Sequence, residues 1–318
     1  MTRPARRIRW SLRAAAAVLV ATLALGGSAG DAASGARPED PRISIPDSLR
    51  GRSGRLRARI VRAVEQATDS AHDALVPPET ESVAVLFGTD AVRQAMLLAV
   101  RDSATDEPFY FITLLPFTEK RQGRVGAYQV GRWPAEARAP LSDAYRVPAG
   151  FIAVTEENQD LQISTSFRLR DFLSTEQADV WPKALVLDSR LVDKLELLLA
   201  ELRRTGHPHA RLTILSGFRT PRANARGVRS SQSTESRHQY GDAADLIADS
   251  NGDGRMDDLT GDRIVDQRDA LALLRLVDRV EARFPDLAGG AGLYRGTVAQ
   301  GPFIHLDARG KRIRWGLP

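Results

Sequence analysis

Two histidines and one aspartate, in a chain without cysteine, are the feature that most constrains how this sequence can fold. His238 and Asp245 lie seven residues apart with Gly241 between them, and His305 follows sixty residues later within Ile304–Asp307. Three such ligands leave the fourth position of a tetrahedral zinc ion open for water, which is the arrangement of catalytic rather than structural zinc sites. Residues of these types at this spacing can therefore hold one zinc ion, provided that the fold brings the two segments together.

The N-terminal segment is typical of a secretory signal peptide. Several arginines precede an apolar run from Ala14 to Leu25, and small residues follow the run. The apolar run is too short to span a bilayer comfortably, which favours a cleaved signal over a permanent membrane anchor. We therefore assign residues 1–34 to a signal peptide and expect an exported protein.

Most of the net charge belongs to this signal segment. The whole chain carries +5, and residues 1–34 contribute five arginines and one aspartate, so the remainder is near neutral at about +1. The high isoelectric point therefore gives no support to nucleic-acid binding, and we expect no nucleic-acid partner and no membrane contact beyond the signal segment. The absence of cysteine excludes disulfide bonds and a cysteine-linked lipid anchor.

The pattern of apolar and polar residues between the signal peptide and the candidate zinc site predicts two segments. Residues 35–80 are predicted to be a linker and then a basic helix over Leu49–Leu75, in which apolar residues recur at helical spacing. Residues 82–165 are predicted to form a small strand-rich accessory domain. Its predicted elements are strands at 83–87, 109–114, 125–130 and 150–154 and a helix over Asp90–Arg101.

Residues 166–318 are predicted to form the domain that carries the zinc site. A helix with a wide apolar stripe follows Asp188, which is placed as its N-cap, and strands are predicted at Arg211–Leu215 and Pro302–Asp307. Helices and strands alternate without a βαβ rhythm, so the predicted class is α+β. On the last strand, His305 and Asp307 project to the same side.

The residues around the histidines resemble the M15 zinc peptidases, the group of D-Ala-D-Ala peptidases and murein endopeptidases. Residues 236–245 match the family motif S-x-H-x-x-G-x-A-x-D at every position. The Ser216–Pro221 segment, the glycines before Tyr294, Ile304–Asp307 and Arg314-Trp315 follow in the family's order and resemble its exported DUF882 branch. The resemblance covers about residues 167–315. It implies a hedgehog-like zinc peptidase domain that cleaves peptidoglycan peptides in the periplasm or cell wall.

The resemblance also implies roles for individual residues. The zinc ligands would be His238, Asp245 and His305. Arg219 would stabilise the oxyanion of the tetrahedral intermediate, which suits its fixed positive charge. Ser236 would orient a substrate carbonyl.

One position departs from the family pattern. The glutamate that the dipeptidase branch places three residues before the last histidine is Pro302 here, so another group must act as general base. Asp307 is the first candidate because the strand places it beside His305, and orientation of His305 is its alternative role; Asp242 is the second candidate. The resemblance favours a murein endopeptidase. A D,D- or L,D-carboxypeptidase and a non-catalytic zinc-containing cell-wall protein are the alternatives.

An acid-rich insertion over residues 249–269 predicts calcium binding. Asp249–Gly254 places oxygen ligands at positions 1, 3 and 5 of a calcium loop with glycine at position 6, and a second, overlapping loop begins at Asp258. Acidic groups packed this closely repel one another without a cation. We predict at least one calcium ion, with ligands among Asp249, Asn251, Asp253, Asp257, Asp258, Asp262, Asp266 and Asp269.

Overall fold

A computed structural model describes residues 40–62, 95–228, 233–296 and 301–316, together with the single positions 83, 86, 87 and 91. All of these residues belong to one compact unit. The predicted signal peptide and the second half of the predicted basic helix lie outside the described residues. Within the described residues, no helix is both long enough and apolar enough to cross a membrane.

A four-stranded sheet forms the N-terminal part. Its strands are β1 (Arg42–Ile43), β2 (Ala58–Val61), β3 (Leu97–Asp102) and β4 (Pro108–Thr113). They lie in the order β1-β3-β4-β2. β3 and β4 are antiparallel, β1 runs parallel to β3, and β2 runs parallel to β4. Side chains along β4 alternate between the faces of the sheet. Phe109 and Phe111 therefore enter a small apolar cluster, while Tyr110 and Ile112 enter the main core.

A three-stranded sheet and a hairpin connect this part to the C-terminal half. The strands are β5 (Leu115–Pro116), β6 (Arg124–Val125), β7 (Tyr128–Gln129), β8 (Gly150–Val154) and β9 (Lys183–Leu185). The sheet has the order β5-β8-β9, and β6 pairs with β7. Ile152 of β8 pairs with Leu185 of β9. The segments on either side of the predicted boundary at residue 165 thus share a sheet, and the main core extends through both.

A five-stranded sheet with two long helices on one face forms the C-terminal half. Its elements are α1 (Ser189–Arg204), β10 (Leu212–Ser216), α2 (Pro221–Val228), β11 (Ala243–Ala248), α3 (Gln267–Arg283), β12 (Gly290–Tyr294), β13 (Phe303–Asp307) and β14 (Ile313–Trp315). The strand order is β10-β11-β13-β12-β14, antiparallel except for the last pair. α1 contacts α3, and α3 packs against β12 and β13.

Several predicted elements are confirmed, and so is the mixed α and β composition of the α+β class. The Asp188 carboxylate accepts a hydrogen bond from the Arg190 backbone amide and caps α1, as its position before the apolar stripe predicts. The strands predicted at 109–114, 150–154, 211–215 and 302–307 correspond to β4, β8, β10 and β13.

Three local predictions in the N-terminal part are wrong. The helix predicted from residue 49 is replaced by β2, and the helix predicted over Asp90–Arg101 gives way to β3. β2 forms by pairing with the distant β4, and β3 pairs with β4 across a short connection and with the distant β1, pairings that the helical spacing of apolar residues does not reveal. Conversely, Val83, Leu86 and Phe87 are helical rather than extended. Their i, i+3, i+4 spacing places them on one helix face.

A buried charge network ties both long helices to the C-terminal sheet. Lys194 of α1 is fully buried, and its Nζ donates to Glu281 Oε1 of α3 at 2.6 Å and to the Asp307 carbonyl of β13 at 2.7 Å. Glu281 also pairs with Arg314 of β14. Since a buried charge is costly unless it is paired, the network specifies how these four elements fit together.

Replacing Lys194 with methionine tests this network. Lys194→Met keeps the aliphatic volume but removes the buried cation from Glu281, which keeps Arg314 and the more distant Arg312, so we expect the free energy of unfolding to fall by about 3 kcal/mol. Urea denaturation followed by circular dichroism measures the change. Arg204→Met is the control, because Arg204 forms an exposed ion pair within one helix, and it should cause no measurable loss. A loss below about 1 kcal/mol for Lys194→Met would contradict the assignment.

Candidate metal centre

One row of paired residues across the C-terminal sheet forms the base of the site. In the strand register, Ser216 of β10 pairs with Asp245 of β11, which pairs with His305 of β13. His305 in turn pairs with Gly292 of β12, and Gly292 pairs with Trp315 of β14. The neighbours of His305 on β13 enter the main core on the helix side. Because side chains alternate along a strand, the His305 side chain lies on the opposite face, away from the helices.

The remaining histidine comes from a short 3-10 helix outside the sheet. This helix, Arg237–Tyr240, ends at Gly241, whose φ is +70° and whose position leaves no room for a side chain: a Cβ would lie 2.2 Å from the Val186 carbonyl oxygen. Trp133, which follows β7, donates its indole N–H to the Gln239 carbonyl at 2.9 Å. Both contacts hold the turn that carries His238.

The predicted ligands His238, Asp245 and His305 converge on one point. His238 Nε2 lies 3.2 Å from His305 Nδ1 and 3.2 Å from Asp245 Oδ1, and His305 Nδ1 lies 2.9 Å from Asp245 Oδ1. Nitrogen and oxygen ligands at zinc bonding distance in a tetrahedron are about 3.3 Å apart, so the spacing fits zinc. Among the described residues, this is the one group of histidine and acidic side chains close enough to hold a metal ion.

The outer nitrogens of both imidazoles are occupied, which directs the inner ones to the metal. His238 Nδ1 lies 2.7 Å from the Gly217 carbonyl oxygen, which can only accept, so Nδ1 carries the proton and Nε2 keeps its lone pair. His305 Nε2 faces Asp307 Oδ2 at 3.4 Å, which leaves Nδ1 free to coordinate. Such outer partners fix the tautomer and ring orientation of metal-bound histidines.

Asp307 lies behind His305 rather than on the metal side. Its side chain is fully buried and accepts hydrogen bonds from the Gly290 amide at 2.8 Å, from the Arg309 amide at 3.1 Å and from Arg309 Nε at 2.9 and 3.0 Å, and Arg309 Nη2 also donates to Oδ2. Burial opposes ionisation, but His305 and Arg309 outweigh it and keep the pKa of Asp307 well below its usual value. This geometry does not fit the prediction that Asp307 is the general base, because the His305 ring separates it from the metal position; it fits the orienting role.

Asp242, the second candidate for the base, is held in another ion pair. The buried Arg237 donates from Nε to Asp242 Oδ1 at 3.1 Å and from its Nη2 to the other carboxylate oxygen. Burial raises the pKa of Asp242, although Arg237 opposes this. The carboxylate therefore braces the 3-10 helix.

Arg219 lies beside the cluster. Arg219 Nη2 is 3.8 Å from Asp245 Oδ2 and donates to Ser216 Oγ at 3.1 Å. Asp245 is the most exposed ligand, with 17% of its side chain exposed against 4% for His238 and 7% for His305. Solvent thus reaches the cluster on the Arg219 side. Ser236 is half-buried at the N-cap of the 3-10 helix, two residues before His238.

A cleft adjoins this exposed side. It has a volume of about 390 Å³, and its walls are formed by the loop at residues 173–176, the Ser216–Arg219 turn and the face of α2 that carries Arg226. A polar cleft therefore lies beside Arg219.

Trp315 closes the other end of the row. Its indole lies 5.3 Å from the His305 ring at 46° and donates to the Tyr294 hydroxyl at 3.1 Å. To reach His305 from the edge strand, the indole must cross β12 at Gly292, where a Cβ would lie 2.1 Å from two indole atoms. This close approach explains why glycine occupies position 292.

The structure does not gather the predicted calcium ligands around one point. Asp249 accepts hydrogen bonds from the amides of residues 252–254 and from the Thr213 hydroxyl, and Asp258 accepts from the amides of Gly261 and Arg263. Asp269 accepts three amide hydrogen bonds, and Asp266 caps α3. The remaining members also have local partners: Asn251 donates to Asp253, Asp257 accepts from Ser250, and Asp262 pairs with Arg268. Backbone amides and nearby side chains thus offset the loop's charge, and calcium binding stays a prediction from sequence alone.

Several residues around the candidate ligands have little or no signal in the sequence. The Gly217 carbonyl could not be found from residue types, since every residue has one. Arg309 had a weak signal, a cation two positions after Asp307. Tyr145, whose hydroxyl accepts a hydrogen bond from Arg309, had no signal in the sequence, because it comes from the segment predicted as a separate accessory domain.

Charge within the cluster makes metal binding dependent on pH. Burial opposes the charged forms, but contacts between the groups outweigh it: the pKa of Asp245 is held far below its usual value by His238 and His305, and the pKa of His305 is raised above 6.5 by Asp245 and Asp307. Asp245 is therefore ready to bind a cation, whereas His305 must release a proton first.

The raised pKa of His305 predicts weaker zinc binding as the pH falls. Below that pKa, which lies above 6.5, each pH unit should weaken the apparent zinc affinity about tenfold if one proton is displaced. Competition with a chromophoric chelator from mildly alkaline to mildly acidic pH measures the slope. An apparent affinity that stays constant through this range would contradict the prediction.

Comparison with known proteins adds no assignment: no protein-family model, no curated protein and no solved structure matches this chain.

Proposed function

We propose that the chain is an exported zinc metallopeptidase that hydrolyses amide bonds in the peptide cross-links of peptidoglycan. The observation that carries the proposal is the convergence of His238, Asp245 and His305, with both outer imidazole nitrogens hydrogen-bonded and one side open to solvent. Three protein ligands with an accessible side are typical of catalytic zinc. The substrate class and exported location rest on the resemblance to M15 peptidases and on the signal-like N-terminus.

Each residue of the site has a separate role in amide hydrolysis. Zinc at such a site lowers the pKa of a water molecule and polarises a carbonyl group. Arg219, beside the exposed edge of Asp245, is placed to stabilise negative charge on the carbonyl oxygen. Asp307 holds the His305 ring in the coordinating orientation. Ser236, on the turn before His238, is the group we assign to orient a substrate carbonyl.

Cleavage of cross-linked muropeptides by the purified mature protein tests the proposal. We expect dimers to be converted to monomers, with activity lost on chelation and restored by zinc. His238→Ala should abolish both zinc binding and cleavage because it removes one of three ligands. His209→Ala, in an exposed loop, is the matched control and should retain both. Separation of the products distinguishes an endopeptidase from a carboxypeptidase, which would release only a terminal amino acid.

The second candidate is a zinc-containing cell-wall binding protein without catalytic activity. The positions of the carboxylates around the site favour it. Pro302 replaces the expected glutamate, Asp307 lies behind His305, and Asp242 is paired with Arg237. Stoichiometric zinc with no cleavage of any muropeptide would establish this candidate and overturn the peptidase.

The two roles considered for Asp307 predict different results for Asp307→Asn. If Asp307 orients His305, zinc affinity should fall about 10–100-fold while saturating zinc restores much of the cleavage. If Asp307 is the base, zinc-saturated enzyme should stay inactive. We expect the first result. Asp193→Asn is the matched control, since Asp193 is buried on α1 and accepts amide hydrogen bonds from Arg52 and Ser53.

A further inference from the structure

We infer that Tyr145 is a positioning residue for the metal centre, which it reaches from the N-terminal part of the chain. Tyr145 ends the short 3-10 helix Asp143–Tyr145, within the segment predicted as an accessory domain. It contacts two arginines, and each belongs to an arginine–aspartate pair adjoining one of the histidine ligands. The inference rests on the proposed metal site but not on peptidase activity.

The first contact is on the His238 side. The Arg237 guanidinium packs against two aromatic rings that contact each other edge to face, and it lies 4.7 Å from the centroid of Tyr145 and 4.4 Å from that of Tyr240. It also donates to the Ala144 carbonyl at 2.6 Å and forms the buried pair with Asp242. A guanidinium stacked on aromatic rings and bound on its edges has little freedom. Since His238 is the next residue, this cage fixes the backbone from which the ligand projects.

The second contact is on the His305 side. Arg309 Nη1 donates to the Tyr145 hydroxyl at 3.3 Å, while the rest of its guanidinium binds Asp307. Asp307 faces Nε2 of His305. Tyr145 thus acts through Arg309 and Asp307 on the orientation of the imidazole ring.

The two contacts are joined through one backbone hydrogen bond. The Ala308 amide donates to the Asp242 carbonyl at 2.9 Å, which ties the end of β13 to the turn after His238. Tyr145 spans the same two segments from outside, with its ring on Arg237 and its hydroxyl on Arg309. A single side chain therefore links the supports of both histidines, and the 143–145 turn belongs structurally to the metal centre.

Two substitutions separate the functions of the ring and the hydroxyl. Tyr145→Phe keeps the ring on Arg237 and removes the hydrogen bond to Arg309, whereas Tyr145→Leu removes both. We expect zinc affinity of the folded protein, measured by chelator competition, to fall about tenfold for Tyr145→Leu and by a smaller factor for Tyr145→Phe. The visible spectrum of the cobalt-substituted protein should change in the same order. Tyr128→Phe is the control, since Tyr128 is a buried tyrosine of the same part of the chain, and it should bind zinc as the wild type does.

The outcomes separate this inference from the proposed function. Wild-type zinc affinity and an unchanged cobalt spectrum in folded Tyr145→Leu would overturn the inference, whatever the cleavage activity. If the leucine variant does not fold, unchanged affinity and spectrum in Tyr145→Phe would overturn it. Zinc binding by the wild type without cleavage overturns only the peptidase, while a wild type that binds no zinc overturns both.

Discussion

The antiparallel pairing of β11 with β13 is the constraint on which the candidate site depends. It places Asp245 directly opposite His305, so that two ligands from distant parts of the chain share one face of the sheet. A shift of one residue in this register would turn His305 toward the core and bring Leu306 to the site. The apolar residues that alternate with the ligands, Ile304 and Leu306, are buried under the helices and hold the register in place.

The third ligand requires a different kind of support, because it does not belong to the sheet. His238 projects from a single 3-10 turn, and such a turn has few hydrogen bonds of its own. Its position depends on contacts with the surrounding chain: the Trp133 indole on the Gln239 carbonyl, the Gly241 backbone against Val186, and the Arg237 cage. The N-terminal half of the chain therefore contributes to the candidate site, since it supplies Trp133 and Tyr145 as supports of this turn.

Buried carboxylates around the site are each assigned to a cation. Asp242 pairs with Arg237, and Asp307 pairs with Arg309 and faces His305. Pairing of this kind stabilises a buried charge and fixes side-chain direction, but it also removes the carboxylate from the metal side. The candidate ligands and Arg219 remain as the charged groups at the exposed edge of the cluster, and Glu176 and Arg226 line the adjoining cleft.

The sequence by itself determined the mixed α and β class and the elements with strong local signals, and it singled out the three candidate ligands. A helix such as α1 is predicted by its own N-cap and apolar stripe. The spacing of His238 and Asp245 around Gly241, and of the residues on β13, restricts which side chains can bind a metal. The tertiary structure decided what depends on distant partners. β2 forms by pairing with the distant β4, Asp307 faces the back of His305, and Tyr145 contacts both arginines from another part of the chain. Local patterns record the preferences of neighbouring residues, whereas these contacts arise when separated segments share one core and one sheet.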